Sequence, residues 1–225
     1  MSNIKNIRLA ISVEGYTEYE FANKVLSPFL REYDIYLYPV IIRTSSDKSG
    51  IKYKGGGVNL DRIKSELKKI LPNYDFTTTF YDYYGFKFNN NIIIDKIESE
   101  LISYFNSRKL IPYIQKYEFE TLLFSDSEYY KSANFFFGDN AEEAATEVEK
   151  IINHFSADAE SINNSVNTVP SKRIAEIFEK YSSMHYRKPN FGIEIVSGIG
   201  LNKIRNSCHR FNEWLKKLTA LPDLA

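Results

Sequence analysis

One cysteine (Cys208), one tryptophan (Trp214) and two methionines in 225 residues remove several possibilities at once. A lone thiol excludes an internal disulfide framework and a Cys-based zinc site, which fits a reducing compartment. The histidines His154, His185 and His209 lack ligand spacing, so a zinc hydrolase is not expected. Neither sign of charge is in excess, with 29 Lys plus Arg against 29 Asp plus Glu. No global field therefore draws the chain to nucleic acid or membrane, and any polyanion site has to be local. No apolar stretch approaches the roughly 20 residues of a membrane span, and the N-terminus has no signal-peptide core. A soluble, cytoplasmic protein without a membrane partner is the expectation. A Walker-type loop is missing, and Ser197-Gly-Ile-Gly lacks the preceding glycine of a nucleophile elbow.

What is present is a hydrophobic fraction of 43%, with 17 Tyr and 16 Phe, ample for a core. Strand-like and helix-like periods alternate through residue 124, and helix dominates after it. This predicts an α/β protein with a mostly parallel sheet flanked by helices, residues 1–125 forming the core and 126–225 a mainly helical extension packed on it. Ile7 to Val13 reads as a buried strand, and Gly15 as a sharp turn. Thr17 with Glu20 has capping-box spacing, and Phe21, Ala22, Val25, Leu26, Phe29 and Leu30 repeat at helical period.

Ile35 to Thr44 predicts a second strand, weakened at its start by Pro39. Ser45 to Gly57 is a loop by composition, with three lysines and four glycines around Tyr53. Asn59 caps a helix that Pro72 stops, and Phe76 to Tyr84 is a β-branched and aromatic strand ending near Asp82. A helix follows Asn91, then a short strand from Leu110 to Gln115 that Pro112 places at an edge or a bulge. Tyr117 to Phe124 has two readings: if extended, Glu118 and Glu120 share one face; if helical, they diverge. Helices are predicted from Ala141, from Pro170-Ser171-Lys172-Arg173 with Ser171 as cap, and across Leu201 to Leu218.

Strand ends in a parallel sheet open on one side, where ligands bind. Glu14, Asp82 and the Glu118/Glu120 pair are therefore candidates to converge, with Glu18 one turn beyond Glu14. Repulsion among gathered carboxylates calls for a hard cation, Mg²⁺ or Mn²⁺, and their number alone does not separate one ion from two. The plainer readings are a solvated Glu14 before a turn, Asp82 ending a strand, and a charged edge at Glu118/Glu120. Lys52 and Lys54, beside Tyr53 and three glycines, are candidate nucleic-acid contacts or simply a surface loop.

Val13-Glu14-Gly15-x-Thr17-Glu18 resembles the opening motif of Toprim-type domains, the metal-dependent catalytic modules of topoisomerases, primases and OLD-type nucleases. The match is closest to a family of small bacterial proteins labelled only as a domain of unknown function, whose pattern also includes the later Glu-Phe-Glu and Pro-Ser-Lys-Arg segments. The resemblance implies that Glu14 is a metal ligand or general acid/base and that Asp82 is the first aspartate of an Asp-x-Asp motif. Tyr84 stands where the second aspartate belongs, so Glu118 or Glu120 has to replace it. Lys172 resembles the basic residue that such nucleases hold near the scissile phosphate, and Arg173 can pair with phosphate or with a glutamate. The implied function is a Mg²⁺-dependent nuclease acting on nucleic-acid phosphodiesters, with DNA ranked ahead of RNA. The resemblance also implies a role beside an ABC-type or AAA-type ATPase partner in an anti-phage or mobile-element system. The competing expectation is a non-catalytic module that binds nucleic acid or an ATPase.

Overall fold

The structure is a computed structural model that describes residues 6–42, 45–46, 52–53, 59–86, 94–163, 165 and 167–224. It divides into one unit of Met1–Gln115 with Trp214–Ala225 and another of Lys116–Glu213. The division expected at residue 125 thus falls ten residues earlier, and the last stretch of chain groups with the first unit.

The first unit holds the sheet. In chain order its elements are β1 (Ile7–Val13), α1 (Tyr16–Phe21), α2 (Ser27–Arg31), β2 (Ile35–Ile41), β3 (Ser45–Ser46), β4 (Lys52–Tyr53), α3 (Leu60–Ile70), β5 (Phe76–Asp82), α4 (Ile94–Phe105), β6 (Leu110–Ile111) and β7 (Ile114–Gln115). The main sheet runs β2-β1-β5-β6, with β7 also on β5, and all its pairs are parallel. β3 and β4 form a separate antiparallel pair within what reads by composition as a loop. Pro39 lies on β2, which among the described residues pairs only with β1, so the position lacking an N–H is tolerated on an edge strand.

The helical period from Phe21 to Leu30 is real, but α1 and α2 are joined by a π-helical turn over Ala22–Leu26. Pro28 in the first turn of α2 has no N–H and its ring crowds the preceding carbonyls, which the wider turn relieves. Asn59 caps α3 as expected, its Oδ1 accepting from Arg62 N at 2.9 Å. The strand expected from Leu110 to Gln115 breaks at Pro112. Thr79 Oγ1 bridges the gap, accepting from Tyr113 N and donating to Tyr113 O, both at 2.8 Å.

β5 is buried along its whole length and divides the core. On one face Tyr81 joins Ile63 and Leu67 of α3 and Ile97 and Leu101 of α4. The next side chain along the strand points to the other face, where Phe80 meets Phe21 of α1 and Trp214 at ring separations of 5.6 and 5.7 Å. Trp214 stacks on Tyr113 at 4.5 Å and donates to Thr78 Oγ1 at 2.8 Å.

The second unit is mainly helical: a 3-10 turn over Phe119–Phe124, then α5 (Tyr129–Ser132), α6 (Asp139–His154), α7 (Pro170–Tyr181), α8 (Ile193–Ile199), α9 (Leu201–Ser207) and the start of α10 (His209–Thr219). Its core centres on Phe178, whose ring lies within 5.4 Å of Phe135, Phe136, Tyr186 and Phe191. Among the described residues no helix is long and apolar enough to cross a membrane.

Candidate functional site

Two acidic groups stand at the carboxyl edge of the sheet in the first unit. Glu14 follows the last residue of β1, and Asp82 is the last residue of β5. These strands are parallel neighbours with Val13 level with Phe80, so both ends open on the same side. Glu14 is half-buried and Asp82 buried. Below them Ser12 Oγ and Tyr81 Oη are 2.6 Å apart. Burial, opposed by the Ser12 hydrogen bond and aided by the charges of Glu66 and Glu14, raises the Tyr81 phenol above its ordinary value. Tyr81 is therefore a neutral hydrogen-bonding group and not a base.

Glu18 has a role in closing the helix. Its Oε2 accepts from Gly15 N at 3.0 Å, so the capping box spans Gly15 and Glu18 and not Thr17 and Glu20. Glu20 pairs with Lys24 at 2.8 Å instead. Gly15 is extended (φ −145°, ψ −170°), a conformation any residue adopts. What constrains it is space, because a Cβ there would lie 3.2 Å from Glu18 Oε2.

Glu118 and Glu120 belong to the second unit, and neither lies on a strand. Glu118 precedes the 3-10 turn and Glu120 sits within it, so the helical alternative for Tyr117 to Phe124 holds and the extended one does not. Glu118 Oε2 accepts from Ser171 N at 3.0 Å, closing the N-terminus of α7 from another element. Ser171 is therefore not the cap: Val169 holds that position and Pro170 begins the helix. Glu120 is 2% exposed. Lys188 Nζ lies 3.4 Å from its Oε2, and the Tyr186 hydroxyl donates to its Oε1 at 3.4 Å. Burial raises the Glu120 carboxyl above its ordinary value, Lys188 opposes that, and the charge of Glu118 adds to it. Lys188 also lies 5.6 Å from the centre of the Phe119 ring.

Tyr186 and Lys188 carried no sequence signal. Their meeting with Glu120 depends on a π-helical turn over Lys188–Gly192, where a Cβ on Gly192 would lie 2.8 Å from the Tyr186 hydroxyl. Lys172 is exposed, with Nζ 3.4 Å from Asn167 Oδ1. Arg173 donates from Nε to Thr168 O at 2.8 Å and lies over the Phe155 ring, and burial lowers its pKa. Lys52 falls on β4, while Lys54 lies outside the described residues.

Among the described residues no group of three or more His, Cys, Asp or Glu side chains could hold a metal ion. Of the four acids expected to converge, Glu14 and Asp82 belong to the first unit and Glu118 and Glu120 to the second. A hard cation can still fit two carboxylates, because Mg²⁺ keeps several waters and is commonly bound by one or two carboxylates plus substrate phosphates. Glu14 and Asp82 supply that donor set at adjacent strand ends.

The match to a family model runs over residues 13–219, from the end of β1 to the end of α10. The chain belongs to the DUF4276 family. The family is described as a domain of unknown function, and its span takes in Glu14, Asp82, the Glu118-Phe119-Glu120 segment and Pro170 to Arg173. No curated protein and no solved structure matches this DUF4276 chain.

Proposed function

We propose that this protein is a Mg²⁺- or Mn²⁺-dependent nuclease that cleaves nucleic-acid phosphodiesters, DNA in the first place, with Glu14 and Asp82 as the metal-holding carboxylates. One observation carries the reading: two acidic groups end adjacent parallel strands at the centre of the sheet, and the first lies in the segment that resembles the Toprim opening motif. A bound ion there would supply Lewis-acid stabilisation of the phosphate and a more acidic water. Glu14 directly precedes Gly15, the cap of α1, and in this reading orients a water. Asp82 is fixed by the buried end of β5. Lys172 contributes in this reading as an exposed cationic contact to the nucleic acid, and an ATPase partner supplies the nucleotide-driven step for which this chain has no motif.

The purified full chain with Mn²⁺ or Mg²⁺ should nick plasmid DNA or cut oligonucleotides. Glu14→Gln and Asp82→Asn should each abolish cutting while leaving the far-ultraviolet circular dichroism unchanged. Equal cutting by Glu14→Gln would assign the activity to another site or a contaminant. The absence of a three-residue ligand group among the described residues, together with Tyr84 in place of a second acid, favours one alternative, a non-catalytic module that binds nucleic acid or an ATPase. Calorimetric titration separates the two readings, since no uptake of Mg²⁺ or Mn²⁺ at millimolar concentration selects the binding module.

A further inference from the structure

Both strand-end carboxylates are followed two residues later by a tyrosine that faces solvent. Tyr16, after Glu14, is 59% exposed, and Tyr84, after Asp82, is 41% exposed. Each ring stands on fixed backbone. Tyr16 is the first residue of α1, behind the Gly15–Glu18 closure, and lies nearly parallel to Tyr19, with ring planes 17° apart and centroids 6.4 Å apart. Tyr84 lies in the 3-10 turn Tyr83–Gly85, held by the Phe86 N to Tyr83 O bond of 3.2 Å and by Phe86 packing edge-on against Tyr81. An exposed aromatic ring held on rigid backbone offers a flat apolar face at low entropic cost.

We propose that Tyr16 and Tyr84 are stacking platforms for unpaired nucleobases, so that the ligand at the carboxyl edge of the sheet is single-stranded nucleic acid and not duplex. The inference rests on the nuclease reading for the identity of the edge as a substrate site. Its argument is physical. The ionisable groups at these two strand ends, Glu14 and Asp82, are acidic, so they repel phosphate unless a cation intervenes, and a base-directed contact adds affinity that does not depend on that cation. A duplex offers such an edge its phosphates and keeps its bases stacked inward. An unpaired strand offers π-faces, which aromatic side chains accept whatever the sequence.

The test uses the full chain carrying Glu14→Gln, so that no cutting intrudes, with fluorescence anisotropy of a labelled oligothymidylate, the same strand made abasic, and a hairpin duplex, in Mg²⁺ and in EDTA. The oligothymidylate should bind best. Adding Tyr16→Ala or Tyr84→Ala should each weaken it about five- to tenfold, the lower part of the range for loss of one stacked base. Tyr16→Phe and Tyr84→Phe should retain binding, which shows that the ring and not the fold is at issue. Tyr33→Ala, a comparably exposed ring (39%) beside the opposite end of the strands, should change nothing. The proposal is overturned if the abasic strand or the duplex binds as well as the oligothymidylate, if the alanine variants bind as the parent does, or if no strand binds. Cutting assays on the unmutated chain are read separately: no cutting alongside ring-dependent binding rejects the nuclease reading alone, and cutting without base dependence rejects the stacking platforms alone.

Discussion

Replacing Lys188 by Met should destabilise the protein, and increasingly so as pH rises. Methionine keeps much of the length and apolar stem that lies against Phe119, so the change removes mainly the ammonium 3.4 Å from Glu120 Oε2. Breaking a buried ion pair by removing one partner costs roughly 3–5 kcal/mol. Here the Lys188 side chain is 29% exposed and partly screened by water, which lowers the expectation to about 2–3 kcal/mol, or roughly 5–10 °C in melting temperature for a chain of this size. The pH dependence follows from the direction of the Glu120 shift. Burial raises its carboxyl above the ordinary 4.5, and Lys188 holds that rise down. The folded protein therefore keeps a proton that the unfolded chain releases. Stability is fullest below 4.5 and declines as pH climbs through the folded value. Lys188→Met lifts the folded value further and extends the decline toward neutral pH. Thermal melts by circular dichroism between acid and neutral pH read this directly. The double variant Glu120→Gln/Lys188→Met should recover most of the loss and flatten the pH profile. If Lys188→Met melts with the parent at every pH, the pair is not coupled and the account of Glu120 fails.

Other consequences are equally direct. Glu160 is buried and accepts from Arg210 N at 2.7 Å and Phe211 N at 3.1 Å at the start of α10; Glu160→Ala strands both donors and should cost about 2–3 kcal/mol, seen as a lower urea midpoint. Glu118→Ala removes the carboxylate that closes α7 and should cost about 1 kcal/mol by the same measurement. Trp214→Phe loses the bond to Thr78 and part of the stacking on Tyr113, with an expected loss of about 2 kcal/mol in urea unfolding. The Cys208 thiol is fully buried and its pKa is pushed up to about 12 by burial, so it should ignore Ellman's reagent in the native protein and react promptly in denaturant.

Elements with local cues are legible in the amino-acid sequence. The β-branched run Ile7 to Val13, the Asn59 cap and the stop at Pro72 all act within a turn or a strand, and each sits where its residues place it; the strand read from Phe76 to Tyr84 ends two residues sooner, at Asp82, where Tyr83 begins a 3-10 turn. The parallel alternation likewise follows from periods carried by the chain itself. Pro28 is equally visible as a residue, yet the π-helical turn that precedes it and joins α1 to α2 has no periodic signal of its own in the sequence.

The carboxylates divide along another line. Sequence alone determined that Glu14 and Asp82 end strands, because strand exit is a local property. Glu18 closes its own helix through Gly15, three residues away, which is again a local contact. What the remaining candidate acids do was decided by tertiary structure: Glu118 closes α7 from fifty-three residues away, and Glu120 is buried against Lys188 and Tyr186. A carboxylate satisfies its oxygens with whatever donors the fold brings near, and N–H groups at helix starts are strong donors that the one-dimensional pattern does not assign to a distant acid. For that reason the chain announces how many acids it carries and which lie at strand ends, while the three-dimensional packing alone decides which of them cap distant helices and which face the edge of the sheet.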